Sequence, residues 1–266
     1  MALSKNCIKY IRSLELKKNR KAEWLFIAEG PKLVGDLLGH FPCRMLVATP
    51  EWLAQHPVTD AKEVIEVTDN ELSRVSLLKT PQQVLALFEQ PDETTDTTIP
   101  QRELCLALDD VQDPGNLGTI LRTVDSANLK QIIVSKETAD SYNPKVVRST
   151  MGAIFRVNII ESDNLIDTLK NMKKHKYKIM ATSLETQNSI YDVEYNKKVI
   201  VIGNEANGVS KEILELADKK VKNESLTMEA LESKLADLKK EQMNQRFQHA
   251  AGQMPKTHVM RQTRRE

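Results

Sequence analysis

The sequence predicts an α/β protein with two folded domains, of which the second is built on a parallel sheet. Its 266 residues are enough for two ordinary domains. From Leu104 onwards, strand-like and helix-like patterns alternate, as they do in parallel sheets whose faces are covered by helices. The stretch PDETTDTTIPQRE, residues 91–103, has no apolar periodicity and is typical of a linker. We therefore expect a small α/β domain at 1–90 and a parallel-sheet domain at 104–221.

The N-terminal section contains the signals of several short elements. NCIKYIRSLELKKNRKAEW has an apolar stripe at helical spacing and is predicted to be helical. LFIAEGPKLVGDLL indicates a strand, a break at Gly30-Pro31 and a helix. CRMLVAT and EVIEVT are predicted strands, and TDNELSRVS a helix capped by Thr68 or Asp69. These elements together describe a small α/β domain.

The second domain shows strands and helices in alternation. LCLALD is a continuous apolar run of the kind found in buried parallel strands. Further strands are predicted in QIIVS, RVNIIE, YKIMATSLE and KKVIVIG, and helices in NLGTILRTVDSA, NPKVVRSTMGAIF, NLIDTLKNMKKHK and KEILELA. Ligands of such sheets bind at the carboxyl ends of the strands, so the turns there are candidate sites.

Composition excludes several classes of function. The formal net charge is +1, so any nucleic-acid surface must be local. There is no run of apolar residues long enough to span a membrane and no signal-peptide pattern at the N-terminus. The three cysteines, Cys7, Cys43 and Cys105, are too scattered for a disulfide framework or a metal-ligand pair, and the histidines do not cluster. We expect reduced thiols, no metal and a cytoplasmic protein.

The first candidate turn is DDVQDPGNLGTILR, where LCLALD gives way to a helix. Asn116 is well placed to be the N-cap of that helix, and Arg122 lies off its apolar stripe. One interpretation is purely structural. Asn116 would only cap, Gly115 and Gly118 would only permit tight turning, and Arg122 would be an exposed helix residue.

The second candidate turn is VIVIGNEANGVS. Glu205 lies between Gly203 and Gly208, at the carboxyl end of a predicted buried strand. An acid there can accept hydrogen bonds from an amine or a hydroxyl. The structural alternative is an Asn-Gly turn before a helix capped by Ser210. The chain has no G-x-G-x-x-G and no G-K-[ST] motif, so this turn is not a dinucleotide or phosphate loop.

Taken together and in this order, the two turns resemble the SpoU family of RNA ribose 2′-O-methyltransferases. The residues that match the family's first two motifs are Asp113, Pro114, Asn116, Gly118, Arg122, Thr123, Gly203, Glu205 and Gly208. The N-terminal section also resembles the family's substrate-binding domain, so the resemblance covers about Lys5 to Val221. It implies a SPOUT-type domain with a trefoil knot, S-adenosylmethionine as methyl donor, ribosomal or transfer RNA as substrate, and a homodimer.

The resemblance also implies roles for particular residues. Arg122 would be the family's candidate base, but a guanidinium has a pKa above about 12 and no acceptor atom. We therefore favour Arg122 as a clamp on phosphate that stabilises the developing alkoxide. Asn116 would position the hydroxyl or hold Arg122, and Glu205 would orient the reacting groups. The expected cofactor-binding residues are Thr182, Leu184, Gly203 and Gly208, and the expected RNA-binding residues are Lys17, Lys18, Arg20 and Arg148.

The sequence departs from the family after residue 221. The family's third motif is a loop beginning Ile-Pro, then Ser-Leu-Asn and a helix of small residues that walls the cofactor's adenine and closes the knot. Here ADKKVK leads at once into NESLTMEALESKL, and only Glu224-Ser225-Leu226 echoes that motif. We therefore predict an incomplete knot and a cofactor pocket that lacks one wall.

The tail, residues 222–266, resembles bacterial large-subunit ribosomal protein twenty-nine, an RNA-binding helical hairpin. Its stretch LKKEQMNQRFQHAAGQ carries this resemblance, and a helical tail is predicted. Three interpretations stay open at this point. The chain is an active methyltransferase, a catalytically impaired RNA-binding protein, or a ribosome-associated fusion whose tail docks the enzyme.

Overall fold

The structure is a computed structural model that describes residues 3–56, 60–91, 104–186, 188–189 and 197–222. Apart from Lys222, the predicted tail lies outside these residues. The sequence that replaces the third motif and all but the first residue of the predicted linker also lie outside them. The helical tail and the incomplete knot therefore stay predictions.

The N-terminal domain is a four-stranded mixed sheet with helices around it. Its sheet has the order β1-β4-β2-β3, in which β4 is antiparallel to β1 and β2, and β3 is parallel to β2. The elements are α1 (Lys5–Ser13), α2 (Lys17–Glu23), β1 (Leu25–Glu29), α3 (Pro31–Leu37), β2 (Cys43–Ala48), α4 (Pro50–Gln55), β3 (Val64–Glu66), α5 (Asp69–Val75) and β4 (Val84–Glu89).

Two details of this domain refine the sequence prediction. The single helical segment predicted before β1 is two helices, because the Arg20 Nη1 atom donates to the carbonyls of Leu14 and Glu15 and holds the break between them. Thr68 caps α5 in a reciprocal capping box with Glu71, as one of the two predicted caps.

The second domain is a six-stranded sheet in which every strand is parallel to its neighbours, which confirms the predicted fold class. The strand order is β10-β8-β9-β5-β6-β7. The elements are β5 (Leu104–Asp109), α6 (Pro114–Ser126), β6 (Gln131–Ser135), α7 (Pro144–Ser149), a 3-10 helix (Ala153–Phe155), β7 (Asn158–Ser162), α8 (Leu165–Lys174), β8 (Lys178–Thr182), β9 (Lys198–Gly203), α9 (Lys211–Leu216) and β10 (Lys219–Val221).

The strand order places the two candidate turns side by side. β6 and β7 are added in turn on one side of β5. The chain then crosses to the other side, where β8 lies one strand away from β5 and β9 fills the position between them. The β5–β9 register runs from Leu104 opposite Lys198 to Asp109 opposite Gly203. Both turns therefore leave the same edge of the sheet at its topological switch point, where open parallel sheets bind their ligands.

The two domains share a hydrophobic core. Val147 of α7 and Ile154 of the 3-10 helix are buried in one cluster with Phe26, Trp52 and Phe88 of the N-terminal domain. The stacked rings of His40 and Phe155, with centroids 3.9 Å apart, extend this contact. The position of α7 is therefore set by the N-terminal domain as well as by the sheet.

A buried ion pair joins the domains beside this core. The Arg20 guanidinium is 1% exposed and its Nη2 and Nε atoms lie 2.5 and 3.1 Å from Asp140 Oδ2. Since its Nη1 atom binds the carbonyls that end α1, Arg20 has no free face for RNA. Its predicted role as an RNA-binding residue is wrong, because the side chain is buried and its donors bind groups of the protein itself.

We expect Arg20→Ala to lower the free energy of unfolding by about 3–5 kcal/mol. The substitution leaves the Asp140 carboxylate and two carbonyls without their buried partner. Urea denaturation measures the change. Lys17→Ala, which removes an exposed lysine from the same helix, is the control and should leave the unfolding midpoint unchanged. Equal midpoints for the two variants would contradict a structural role for Arg20.

Candidate active site

The carboxylate of Glu205, in the turn after β9, binds the turn after β5. Its Oε1 atom accepts hydrogen bonds from the Asp113 N–H at 3.2 Å and the Asn116 Nδ2 at 3.0 Å. Its Oε2 atom accepts from the Gln112 N–H at 3.2 Å. The structure thus brings together two residues that the sequence predicted for one site, Asn116 and Glu205. We call this arrangement the Glu205 clasp.

A second set of contacts fixes the same two turns. The Asn204 Nδ2 atom donates to the Asp110 carbonyl at 2.8 Å and to its carboxylate at 3.2 Å. The Ser210 N–H donates to Asp109 Oδ2 at 2.8 Å. The sequence assigned no role to Asn204, Asp109 or Asp110, and it predicted Ser210 only as the cap of the next helix, where Ser210 does lie. The signal was the pair of acids that ends the apolar strand, directly before the turn.

Asn116 does not cap α6, contrary to the prediction. Asp113 is the N-cap, and its Oδ1 atom accepts from the Asn116 N–H at 2.9 Å. Pro114 follows at the first helical position, where its missing N–H costs nothing, and this fixes the start of the helix before Asn116. The Asn116 side chain is therefore free to join the Glu205 clasp, and the interpretation that it only caps is wrong.

Gly118 serves close packing between helices, not tight turning. It lies inside α6, and a Cβ atom there would meet the Ser149 Cβ of α7 at 2.4 Å. A side chain at this position would push α6 and α7 apart. The glycine therefore allows α7 and the segment after it to lie against the helix that carries Arg122.

Arg122 is exposed on α6 and lies outside the stripe of residues that this helix buries. Its Nη1 atom lies 3.3 Å from the Met151 Sδ atom, in the turn that follows α7. Within the described part of the chain Arg122 joins no ion pair, and Asn116 donates to Glu205 rather than holding Arg122. The guanidinium charge is thus left available for an anion.

The turn after β9 is a tight hairpin whose backbone lies in close contact with Gly203, the last residue of the strand. The Asn204 and Gly208 backbones exchange hydrogen bonds of 3.0 and 2.9 Å, and Gly208 has a φ of +70°. A Cβ atom on Gly203 would lie 2.1 Å from the carbonyl carbon of Gly208. Glycine is therefore required at position 203 for this backbone approach.

Thr182 and Leu184 lie at the adjacent end of β8. The Thr182 hydroxyl donates to the Val201 carbonyl of β9 at 3.1 Å, and Thr182 itself pairs with Val221 of β10. Leu184 follows with 84% of its surface exposed. Leu184 is thus an exposed apolar side chain beside the carboxyl ends of β8 and β9.

The predicted RNA-binding residues other than Arg20 are exposed. Lys17 and Lys18 lie on α2 of the N-terminal domain. Arg148 lies on α7 and lines a small cleft together with Glu29 and Leu33 of the N-terminal domain. Burial raises the pKa of the Glu29 carboxyl, although hydrogen bonds from Ser76 and the Leu77 N–H oppose this.

Comparison with known proteins identifies the family. Residues 103–226 match the SpoU rRNA Methylase family, and residues 5–86 match the MRM3-like substrate binding domain. A solved TrmH-family structure from Porphyromonas gingivalis is 35% identical with a TM-score of 0.77, and the match covers 86% of this chain and 91% of that one. This chain belongs to the SpoU (TrmH) family of RNA methyltransferases. The recognition made from the two turns is confirmed.

Other relatives of this SpoU methyltransferase are named as ribosomal-RNA methyltransferases. A crystal structure of an AdoMet-bound rRNA methyltransferase from Sinorhizobium meliloti is 32% identical, with a TM-score of 0.74 over 86% of this chain and 89% of that one. The 23S rRNA (guanosine(2553)-2′-O)-methyltransferase RlmP of Bacillus subtilis is 29% identical over 213 residues, which are 79% of this chain and 84% of that protein.

The tail of this SpoU methyltransferase matches another family. Residues 224–266 match the Ribosomal L29 protein family, as the sequence resemblance predicted.

Among the described residues, no helix is long and apolar enough to cross a membrane. No group of His, Cys, Asp and Glu suited to hold a metal ion occurs in that same part of the chain.

Proposed function

We propose that this chain transfers the methyl group of S-adenosylmethionine to a ribose 2′-hydroxyl of ribosomal RNA, at the sheet edge held by the Glu205 clasp. The observation that carries the proposal is the clasp itself, since it joins the family's first two motifs beside Arg122, which makes no ion pair with any described residue. Relatives named as rRNA methyltransferases favour ribosomal over transfer RNA.

The clasp assigns a role to each atom of the Asn116 amide. Its Nδ2 atom donates to Glu205, so its Oδ1 atom points away and can accept a hydrogen bond from the ribose hydroxyl. Glu205 accepts from three N–H groups, and hydrogen bonding led by Asn116 lowers its pKa. Glu205 therefore orients Asn116, and Asn116 orients the nucleophile.

Arg122 acts as an electrostatic group. A guanidinium stays protonated at neutral pH and carries only donors, so it binds a phosphate oxygen or the oxygen that becomes negative as the hydroxyl loses its proton. The exposed positions of Asn116 and Arg122 leave solvent as the receiver of that proton. Arg122 stabilises charge here and is not a base.

The residues at the ends of β8 and β9 suit the cofactor. S-adenosylmethionine, when bound, supplies an electrophilic sulfonium methyl group. The exposed Leu184 side chain offers an apolar face for its adenine, and Thr182 and the hairpin from Gly203 to Gly208 offer polar backbone groups beside it. These residues lie next to the clasp because β8, β9 and β5 are consecutive strands of the sheet.

We expect the Glu205 clasp to be insensitive to pH throughout the neutral range. The pKa of Glu205 is lowered in the folded protein, so the carboxylate's contribution is present above the ordinary glutamate pKa and is lost only as pH falls through the lowered value. The pH profile of kcat should therefore show no inflection from Glu205 near neutrality. An inflection there that Glu205→Gln removes would contradict this assignment.

A second candidate function is RNA binding without catalysis. The sequence observation that favours it is the replacement of the third motif after residue 222. Calorimetric titration with S-adenosylmethionine separates the two functions. Micromolar binding supports the enzyme, whereas no binding together with retained RNA affinity supports the non-catalytic protein.

We also propose that the tail contacts ribosomal RNA. It carries nine Lys or Arg residues (222, 234, 239, 240, 246, 256, 261, 264 and 265) against six acids (224, 229, 232, 237, 241 and 266). This excess of positive charge favours phosphate contact. Co-sedimentation with large ribosomal subunits tests the proposal. Deletion of 224–266 should abolish it at constant salt.

Two further proposals rest on the sequence, the first on the family resemblance and the second on the scattered cysteines. The chain forms a homodimer, and it acts in the cytoplasm. Sedimentation equilibrium of the full chain tests the first proposal through its mass. Cell fractionation with a soluble marker tests the second.

A further inference from the structure

Arg122 is held by a neutral sulfur atom. The Met151 Sδ atom lies 3.3 Å from Arg122 Nη1, and no carboxylate of the described chain pairs with Arg122. A thioether is a weak, polarisable acceptor that can hold a guanidinium in place without neutralising it. A carboxylate at this position would compete with phosphate for the same donors.

Met151 lies in an unusual backbone conformation that burial does not explain. Its φ is +49°, which side-chain-bearing residues rarely adopt, and its side chain is 56% exposed. Gly152 follows with a φ of +86°. Strained backbone of this kind is found at functional sites, and here it accompanies a side chain that contacts Arg122.

Both ends of the Met151 turn are anchored in the core shared by the two domains. Val147 precedes the turn and Ile154 follows it, and both are buried in the cluster formed with β1, β2 and β4. The Thr150 hydroxyl donates to the Val147 carbonyl at 2.7 Å, and the Ala153 N–H donates to the Thr150 carbonyl at 3.0 Å. The substrate-binding domain therefore fixes where Met151 lies.

We propose that Met151 is a positioning residue that holds the Arg122 guanidinium in place for methyl transfer, and that the core contact with the N-terminal domain sets this position. The inference rests on the proposed role of Arg122. It links the domain that binds RNA to the group that stabilises the reacting oxygen, through a single side chain.

Kinetics of RNA methylation by the full chain test the proposal. We expect Met151→Ala to lower kcat about 10-fold, with a smaller effect on KM for RNA, because a loosened Arg122 is misplaced in the transition state. Met151→Gln, whose amide oxygen restores a neutral acceptor of similar reach, should recover most of the loss. The control is Val64→Ala on β3, which also shortens an exposed apolar side chain and should not change kcat. Unfolding midpoints show whether each variant is folded.

The double variant separates this proposal from the function on which it rests. If Met151 acts through Arg122, Arg122→Ala with Met151→Ala is no slower than Arg122→Ala alone. If the double variant instead loses the product of the two single losses, Met151 does not act through Arg122. Wild-type kcat in Met151→Ala, with Arg122→Ala impaired, would likewise overturn the role of Met151 but leave that of Arg122 intact. Wild-type kcat in Arg122→Ala would overturn the role of Arg122 itself.

Discussion

Arg122→Ala is expected to lower kcat/KM for RNA methylation about 100- to 1,000-fold. Arg122 is exposed, unpaired among the described residues and located on the helix that also presents Asn116 to Glu205. Under the proposed mechanism its removal deletes the positive charge that stabilises the forming alkoxide, and nothing in the clasp replaces it. Single-turnover transfer from labelled S-adenosylmethionine measures the loss.

Two variants sharpen this test. Arg122→Lys keeps the charge but not the planar fork, so it should recover only part of the rate. Arg74→Ala removes another exposed arginine, on α5 of the N-terminal domain, and serves as the control. Equal losses in Arg122→Ala and Arg74→Ala would show that general charge matters and not the position of Arg122.

Gly203→Ala should weaken S-adenosylmethionine binding at least about 100-fold and remove methyl transfer with it. The added methyl group would lie 2.1 Å from backbone atoms of Gly208 and Val209, so the hairpin must move away from the end of β9. That movement also displaces Glu205, which lies in the same hairpin. Calorimetric titration with the cofactor measures the effect.

Matched glycines separate this effect from general damage. Gly35→Ala in α3 meets only the His56 ring at 3.7 Å and should keep cofactor affinity. Gly208→Ala has open space but a φ of +70°, so it should give an intermediate loss and a folded protein. Wild-type affinity in Gly203→Ala would show that the hairpin does not form part of the cofactor site.

The parts of the fold that follow from local pattern were predictable. β5 and β9 are continuous apolar runs because both faces of a parallel sheet are covered. Such runs can be recognised in the sequence alone. β10 was not predicted, since it is three residues long, carries two lysines and buries only Val221. It exists because β8 offers an open edge, which no local pattern records.

The candidate site was predictable in its residues and less so in its contacts. Asn116 and Glu205 follow neighbouring strands, which made their meeting predictable. Asn116 also looked well placed as the helix cap, but Asp113 takes that position because Pro114 follows it as the first helical residue. Arg20 resembles Lys17 and Lys18 in sequence, and its burial depends on Asp140, far along the chain. The contact of Arg122 with Met151 likewise depends on the packing of α6 against α7.

Chemical mapping of the product tests the central claim most directly. The full chain is incubated with tritium-labelled S-adenosylmethionine and unmodified ribosomal RNA, and the labelled RNA is then hydrolysed in alkali. A ribose 2′-O-methyl group blocks cleavage at its own nucleotide, so we expect label in an alkali-resistant dinucleotide, and at least about 100-fold slower labelling with Arg122→Ala. Label in mononucleotides, or equal label with Arg122→Ala, would contradict it.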